Sequence, residues 1–362
     1  MTSVVPARWT PNDRILTAPI EFHRTLPEYA VTPLVDLPDL AQLLGVARLL
    51  VKDESSRLGL PAFKMLGASW ATYRCLAKRA GRPVDASLPA LRVAAGELPP
   101  TTLVTATDGN HGRAVARMAR YLDLPAIVLV PSVVPAAAME RIRGEGAEVR
   151  VVDAPYDDTV REAAALCEGS DERILVQDTS WPGYEVTPRW IVDGYATLFT
   201  EATAQLARAG VSADAEVTVV VPAGVGSLAH AAVLHCRREA HWRAVTVEPD
   251  AAPCIATSLA AGALRSTATG ETSMAGLNCG TPSTLAWPDL QADLAGALVV
   301  TDAEASAAAV SLRDRGVDSG PCGAASLAAA QIAAGDPGAR ADLGLHAGSA
   351  LLLLNTEGAA RD

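Results

Sequence analysis

The chain has 362 residues, of which 49% are hydrophobic, 20% charged and only 4% aromatic, a balance that excludes a disordered polypeptide. At roughly 150 residues per domain, its length suits about two domains. Forty-one acidic against thirty basic side chains leave a formal charge of −11, with Lys and Arg scattered, which disfavours a nucleic-acid partner.

No apolar run approaches the ~20 residues of a membrane helix, and Met1 to Pro11 carries no apolar signal core, so a cytoplasmic protein is expected. The six cysteines (Cys75, Cys167, Cys236, Cys254, Cys279 and Cys322) show neither CxxC nor CxH spacing. They read as small packing residues in a reducing compartment, and no metal site is expected.

In chain order, the first informative stretch runs from Val51 to Ala68. A polar, glycine-containing loop leads into Phe63-Lys64, and Met65 to Ala77 has helical spacing. A lysine flanked by Phe63, Met65 and Leu66 at a helix start meets a positive helix end and apolar neighbours. Both lower the pKa of an ammonium and suit a Schiff-base lysine, although the same residues fit a lysine whose stem packs while its charge reaches water. Gly81 to Pro100, with four prolines, reads as an irregular connection or a variable insertion.

A strand at Leu103 to Thr107 runs into Thr105-Ala106-Thr107-Asp108-Gly109-Asn110-His111-Gly112, a tight turn that opens a helix over His111 to Leu122. Backbone N–H groups exposed there suit a carboxylate. Asn110 offers a directed hydrogen bond and Asp108 an acid or base, the alternative being that Asp108 simply caps the helix. Strands follow at Ala126 to Val130, Val149 to Val152 and Ile174 to Gln177, with a helix at Ala137 to Glu145.

The run Val217 to Val221 leads through Pro222-Ala223 into Gly224-Val225-Gly226-Ser227-Leu228 and an apolar helix. Glycines let the backbone approach an anion and the helix start adds a favourable dipole, which describes a monophosphate cup without the Gly-Lys-Ser/Thr ending of a nucleotide loop. Beyond it come a strand at Ala244 to Val247, a loop at Gly262 to Thr272, a helix at Ala303 to Asp314 and a strand at Ala350 to Leu354. Near-continuous apolar strands alternating with helices predict an α/β fold of mostly parallel sheets covered on both faces. Glu248, at the end of its strand, fits either the cleft or a helix cap.

The order of a lysine, then Thr-x-Gly-Asn-His-Gly, then a glycine loop resembles the fold-type-II pyridoxal-phosphate enzymes, the tryptophan synthase β-like group. The resemblance implies pyridoxal 5′-phosphate as cofactor, held by Lys64, with Asn110 on the ring's 3′-oxygen and Gly224, Val225, Gly226, Ser227 and Leu228 around the phosphate. It implies Thr356 beside the pyridine nitrogen, and the substrate carboxylate on Thr107, Asp108, Gly109 and His111. It also implies two domains: a large cofactor-binding domain of residues 1–75 and 197–362, and a small one of residues 76–196.

A closer resemblance is to the diaminopropionate ammonia-lyases. It rests on Lys52-Asp53-Glu54-Ser55, Ala62-Phe63-Lys64, the Thr105 to Gly112 run, Gln177-Asp178-Thr179-Ser180-Trp181, Gly194 to Phe199, Met274 to Gly280 and Thr356-Glu357-Gly358. Asp108 stands where hydroxy-amino-acid dehydratases usually carry serine, and an amine must leave protonated, which calls for a proton source near the β-carbon. Asp108 and Asp178 match the acid/base positions, and their places on different loops imply that the α-proton is taken from either face, which permits both substrate enantiomers. The implied reaction is β-elimination of 2,3-diaminopropionate, a small amino-acid substrate, to pyruvate and ammonia by a homodimer.

Some residues depart from that pattern. Ser319-Gly320-Pro321-Cys322-Gly323 replaces Ser-Gly-Glu-Ser-Gly, and Pro61 replaces an asparagine. These changes leave room for β-replacement, for a serine/threonine dehydratase-type enzyme on a related amino acid, or for a non-catalytic relative. Cys254 and Cys279 match cysteine positions of some relatives and read as unpaired packing residues. His111 reads as a packing or hydrogen-bonding residue, and Trp181 and Tyr184 as lid or core.

Overall fold

Alternating apolar runs and amphipathic stretches build two sheets in the structure, a computed structural model that describes residues 13–107 and 109–359, with side chains from residue 18 onward. Helices α1 (Asp13–His23) and α2 (Pro38–Leu44) flank the short strand β1 (Leu34–Asp36), and β2 (Arg48–Asp53) leads by a loop into α3 (Lys64–Ala80). After α4 (Leu88–Gly96), strands β3 (Thr102–Ala106), β4 (Ala126–Pro131), β5 (Glu148–Val152) and β6 (Arg173–Leu175) alternate with α5 (Asn110–Tyr121), α6 (Ala136–Arg143) and α7 (Tyr156–Cys167). The long α8 (Val186–Arg208) precedes β7 (Val217–Pro222), α9 (Ser227–Cys236), β8 (Trp242–Pro249), α10 (Cys254–Ala261), α11 (Trp287–Asp293) and β9 (Leu294–Val300). Helices α12 (Asp302–Arg313), α13 (Pro321–Gly335) and α14 (Pro337–Asp342) come before the last strand, β10 (Ala350–Asn355).

The six-stranded sheet has the order β1-β2-β10-β7-β8-β9 and the four-stranded sheet β5-β4-β3-β6. Strand β1 runs antiparallel to β2, while β10 lies parallel between β2 and β7. Both ends of the chain therefore enter one sheet, and the other sheet is built from the segment between them. Strands β4, β7 and β10 are buried at every position, as nearly all-apolar runs require, whereas the edge strands β5 and β9 are part-exposed, so the expected covering of both faces fails at the edges. No helix among the described residues is long and apolar enough to cross a membrane.

Two local expectations are corrected. Residues 81–100 are not wholly irregular: Ser87 accepts the Ala90 N–H at 3.3 Å, Pro89 sits in the first turn of α4, and Leu88, Leu91, Ala94 and Ala95 bury one face. Proline early in a helix forfeits no hydrogen bond, so its presence there marks a start. The stretch before Lys64 is likewise not all loop, since β2 covers Arg48–Asp53 with Lys52 and its four neighbours Leu49, Leu50, Val51 and Asp53 in the ladder.

The lysine helix is held by a close crossing. A Cβ on Gly194 of α8 would lie 2.5 Å from the Leu66 carbonyl oxygen, and one on Gly67 of α3 would lie 2.6 Å from the Tyr195 ring, so only glycines allow this approach. The loop before α3 is pinned by a buried ionic cluster. Arg57 donates to Glu54 and Glu201, and Lys52 to Glu201 at 2.8 Å, with none of these side chains more than 1% exposed. Burial opposes the Glu201 charge, but Arg57 and Lys52 hold its pKa down at about 2.

Candidate active site

The carboxyl ends of the strands, where α/β sheets place their ligands, converge on one pocket. Its wall includes Phe63, Lys64, Thr107, Asn110, His111, Asp178, the run 224–228, Thr356 and Glu357, and it encloses about 60 Å³. The residues expected from sequence on five separate segments are thus brought together. Asp108 lies outside the described residues.

Lys64 is the first residue of α3, and its Nζ donates to Asp178 Oδ2 at 2.6 Å. Its side chain is 21% exposed and its ammonium also lies 5.4 Å from the Phe63 ring centre, so the charge points into the pocket rather than out to bulk water. Asp178 follows β6 and is fully enclosed. Burial opposes its charge, yet the Lys64 ammonium and His111 together hold its carboxyl well below the usual carboxylate range. Its other oxygen faces the Tyr156 hydroxyl at 3.4 Å and the Gln177 amide at 3.3 Å.

His111 behaves as a positioning group. Its Nε2 lies 2.8 Å from the Val176 carbonyl and so carries the proton, while Nδ1 faces Asp178 at 3.8 Å without a hydrogen-bond partner. Burial lowers its pKa, so the ring is neutral at pH 7. Thr107 shapes the turn before α5, its hydroxyl accepting the Gly109 and Gly112 N–H groups at 2.9 and 3.1 Å. The helix begins at Asn110, one residue before the expected start.

The glycine loop leads from β7 into α9 with Gly226 at φ 93°, a left-handed conformation, and no side chain caps the helix. A Cβ on Gly224 would stand 2.9 Å from Cys279 Sγ, and one on Gly226 2.9 Å from Leu290 Cδ1. The loop is therefore a bare backbone cradle at a helix start, fitted to a phosphate. Ser227 donates its hydroxyl to the Asp178 carbonyl at 2.6 Å, tying the cradle to the acidic loop. Thr356 follows β10 and its carbonyl accepts the Phe63 N–H at 3.3 Å. Lysine, uncapped cradle, neutral Thr356 and Asn110 form a donor set that fits pyridoxal phosphate.

Two further pocket residues escaped sequence reasoning. Glu357 carries a half-buried carboxyl that accepts from Asn110 Nδ2 at 2.8 Å and from the Cys322 N–H at 3.3 Å. The signal was its place between Thr356 and Gly358. Tyr156 bridges Gln177 and Asp178 from the start of α7, and nothing in its flanking sequence marked it.

Other side chains resolve as structural. Glu248 caps α10 by accepting the Ile255 and Ala256 N–H groups at 2.7 Å each, and burial pushes its pKa up to about 7. Trp181 stacks on Tyr184 at 4.5 Å, and Tyr184 braces Leu175 and Gln177. Five of the six cysteines are buried, Cys167 being half-buried, and the Cys254 thiol donates to the Gly224 carbonyl at 3.6 Å.

Residues 25–345 match the model of the family described as pyridoxal-phosphate dependent enzyme. The chain is 39% identical over 282 residues to the diaminopropionate ammonia-lyase of Salmonella typhimurium, covering 74% of this chain and 68% of that protein. The Escherichia coli K12 enzyme is 39% identical over 277 residues, with 75% and 68% covered. Among solved structures, Escherichia coli diaminopropionate ammonia-lyase in complex with an aminoacrylate-PLP azomethine reaction intermediate superposes with a TM-score of 0.83 at 33% identity, over 96% of this chain and 89% of that one. The threonine deaminase of T.th. superposes with a TM-score of 0.74 at 28% identity, over 97% and 99%.

Proposed function

The chain belongs to the diaminopropionate ammonia-lyase family of pyridoxal-phosphate dependent enzymes, and on that premise we propose that it catalyses β-elimination of 2,3-diaminopropionate to pyruvate and ammonia. The observation that carries this reading is the 2.6 Å contact between Lys64 and a buried Asp178, in a pocket that the bare 224–228 cradle also lines. When bound, the cofactor supplies an aldehyde for amine exchange and an electron-withdrawing ring that stabilises negative charge at the substrate α-carbon.

The protein's own groups do the rest. Lys64 would be the attachment point, and the N–H groups of Gly224, Val225, Gly226, Ser227 and Leu228 would hold the phosphate. Asn110 would serve the ring's 3′-oxygen, and Thr356, a neutral partner, would leave the pyridine nitrogen largely unprotonated. The 107–111 turn, with Thr107, Asp108, Gly109 and His111, receives the substrate carboxylate. Asp178, kept ionised beside Lys64, accepts the α-proton from one face, and Asp108 is assigned the same task on the other, so that both enantiomers react.

The division into a large domain of residues 1–75 and 197–362 and a small domain of residues 76–196 belongs to this proposal. It is supported by the two sheets, which draw their strands from residues 34–53 with 217–355 and from residues 102–175. A homodimer in the cytoplasm completes the reading. A second reading, β-replacement by an incoming nucleophile, is favoured by one observation: a cavity of about 610 Å³, edged by Pro321 and Cys322, shares Asn110, Gly276, Cys322 and Glu357 with the inner pocket.

Incubating the holoenzyme with D- and L-diaminopropionate, serine, threonine and O-activated serines, then assaying pyruvate and 2-oxobutyrate, separates these readings. Elimination predicts pyruvate from both diaminopropionate enantiomers. No pyruvate from diaminopropionate sinks the elimination reading, and silence of the D form alone sinks the two-face assignment.

A further inference from the structure

Elimination of an amine needs a proton delivered at the β-nitrogen, and the carboxylate beside Lys64 is already committed to accepting one. The pocket holds a second carboxyl on the opposite structural element. Glu357 follows β10, its backbone bridges to Ala62 two residues before Lys64, and its side chain borders both the inner pocket and the larger cavity. The fold makes room for it: a Cβ on Gly320 would lie 2.9 Å from Glu357 Oε1. Asn110 and the Cys322 N–H fix its two oxygens at 2.8 and 3.3 Å. A half-buried carboxyl held by two neutral donors at the edge of a ligand pocket is not an ordinary structural acid.

We propose that Glu357 is the general acid that protonates the departing β-amine, while Asp178 takes the α-proton. This deepens, and rests on, the elimination reading given above. The step balances. The Cα–H proton passes to Asp178 and its bonding pair becomes the second bond between Cα and Cβ. The Cβ–N pair leaves with nitrogen, which takes the Glu357 proton, so a neutral β-amine departs as ammonia. Glu357 regains its proton from solvent through the larger cavity that it borders, and the proton gained at Asp178 passes to solvent as the cycle closes. The two environments agree with the roles. Burial raises the Glu357 pKa above its usual value, against the opposing pull of Cys322, Asn110 and Lys64, while Lys64 and His111 depress that of Asp178. Titratable groups driven apart in this way make an acid and a base. The Pro321-Cys322 replacement fits the same picture, since the α13 start donates a backbone N–H to Glu357 and offers it no second carboxylate.

Leaving groups of different basicity test this. Glu357→Gln keeps the shape and the Asn110 hydrogen bond but carries no acidic proton. With diaminopropionate its kcat should fall about 100-fold or more, whereas with β-chloroalanine, whose chloride leaves without a proton, it should stay within about threefold of wild type. Glu357→Asp should recover part of the diaminopropionate rate. The infrared difference spectrum between wild type and Glu357→Gln holoenzymes, without substrate, should show the carbonyl stretch of a protonated carboxyl at neutral pH. Equal losses on both substrates, unchanged rates on both, or no such band would each overturn the assignment. If wild type makes no pyruvate from diaminopropionate, the elimination reading fails, and serine, whose hydroxide also needs a proton, takes its place in the comparison.

Discussion

Asparagine at position 178 isolates the base from its surroundings. In wild type, Oδ2 accepts from Lys64 Nζ at 2.6 Å and Oδ1 faces Tyr156 and Gln177, so an Asn that keeps its oxygen toward Tyr156 turns its NH₂ toward the lysine. Donor then meets donor, and an unsatisfied buried group of this kind costs about 1–3 kcal/mol in the cofactor-free protein. The Ser227 bond to the residue 178 carbonyl survives, because it uses backbone, so the cradle and its cofactor should be retained. Loss of a positioned base lowers the rate about 100- to 10,000-fold. At 1.36 kcal/mol per decade that is about 2.7–5.4 kcal/mol of barrier. Because Asp178 serves one face only, the loss should fall on one diaminopropionate enantiomer, with the other within about threefold of wild type. Pyruvate formation from each enantiomer, with the cofactor's visible absorbance as a loading control, reads both quantities. Equal losses on the two enantiomers, or full activity on both, would refute the reasoning.

Three other outcomes follow from the same geometry. Arg57→Leu leaves Glu54 and Glu201 buried without their main cation, and unfolding should become easier by about 3–5 kcal/mol in denaturant titrations. Gly226→Val forces a branched side chain into a left-handed position 2.9 Å from Leu290, so equilibrium dialysis should show weakened cofactor retention while the far-ultraviolet spectrum stays native. His23 is buried, bonded to Thr197 and Leu66, and its pKa is lowered by burial from 6.5 to about 3. Its unfolded form binds a proton that the folded form refuses, so stability from the neutral ring is full above about pH 6.5 and is lost as pH falls toward about 3, at roughly 1.4 kcal/mol per unit. The melting-temperature advantage of wild type over His23→Asn should accordingly shrink across that window, and a gap that widens on acidification would contradict the sign.

What the sequence discloses here depends on whether a residue's role is local. Lys64 beside a helix start, the 105–112 turn and the 224–228 loop announce themselves because backbone geometry and short spacing define them. Strand β2 hides because Lys52 and Asp53 look like loop residues, and partners distant in sequence, Glu201 149 residues away with Thr32 and Gln205, make a buried lysine tolerable. Helix α4 hides among prolines whose meaning depends on register, since Pro89 starts a helix and Pro83 does not. Tyr156 is recognisable only once α7 delivers it to Asp178, and Glu357, marked in sequence by no more than its place beside Thr356, gains a role once β10 brings it to Asn110. Charge shows the same division. The net −11 speaks to bulk partners, while the phosphate cradle works through local N–H groups.

The most direct test of the account is the product balance from diaminopropionate. Elimination followed by hydrolysis releases the β-nitrogen and then the α-nitrogen, so the holoenzyme should yield two ammonia molecules for each pyruvate, and Lys64→Ala should yield neither while losing the cofactor's visible absorbance. Ammonia without pyruvate, a new amino acid in place of pyruvate, or full activity in Lys64→Ala would contradict it.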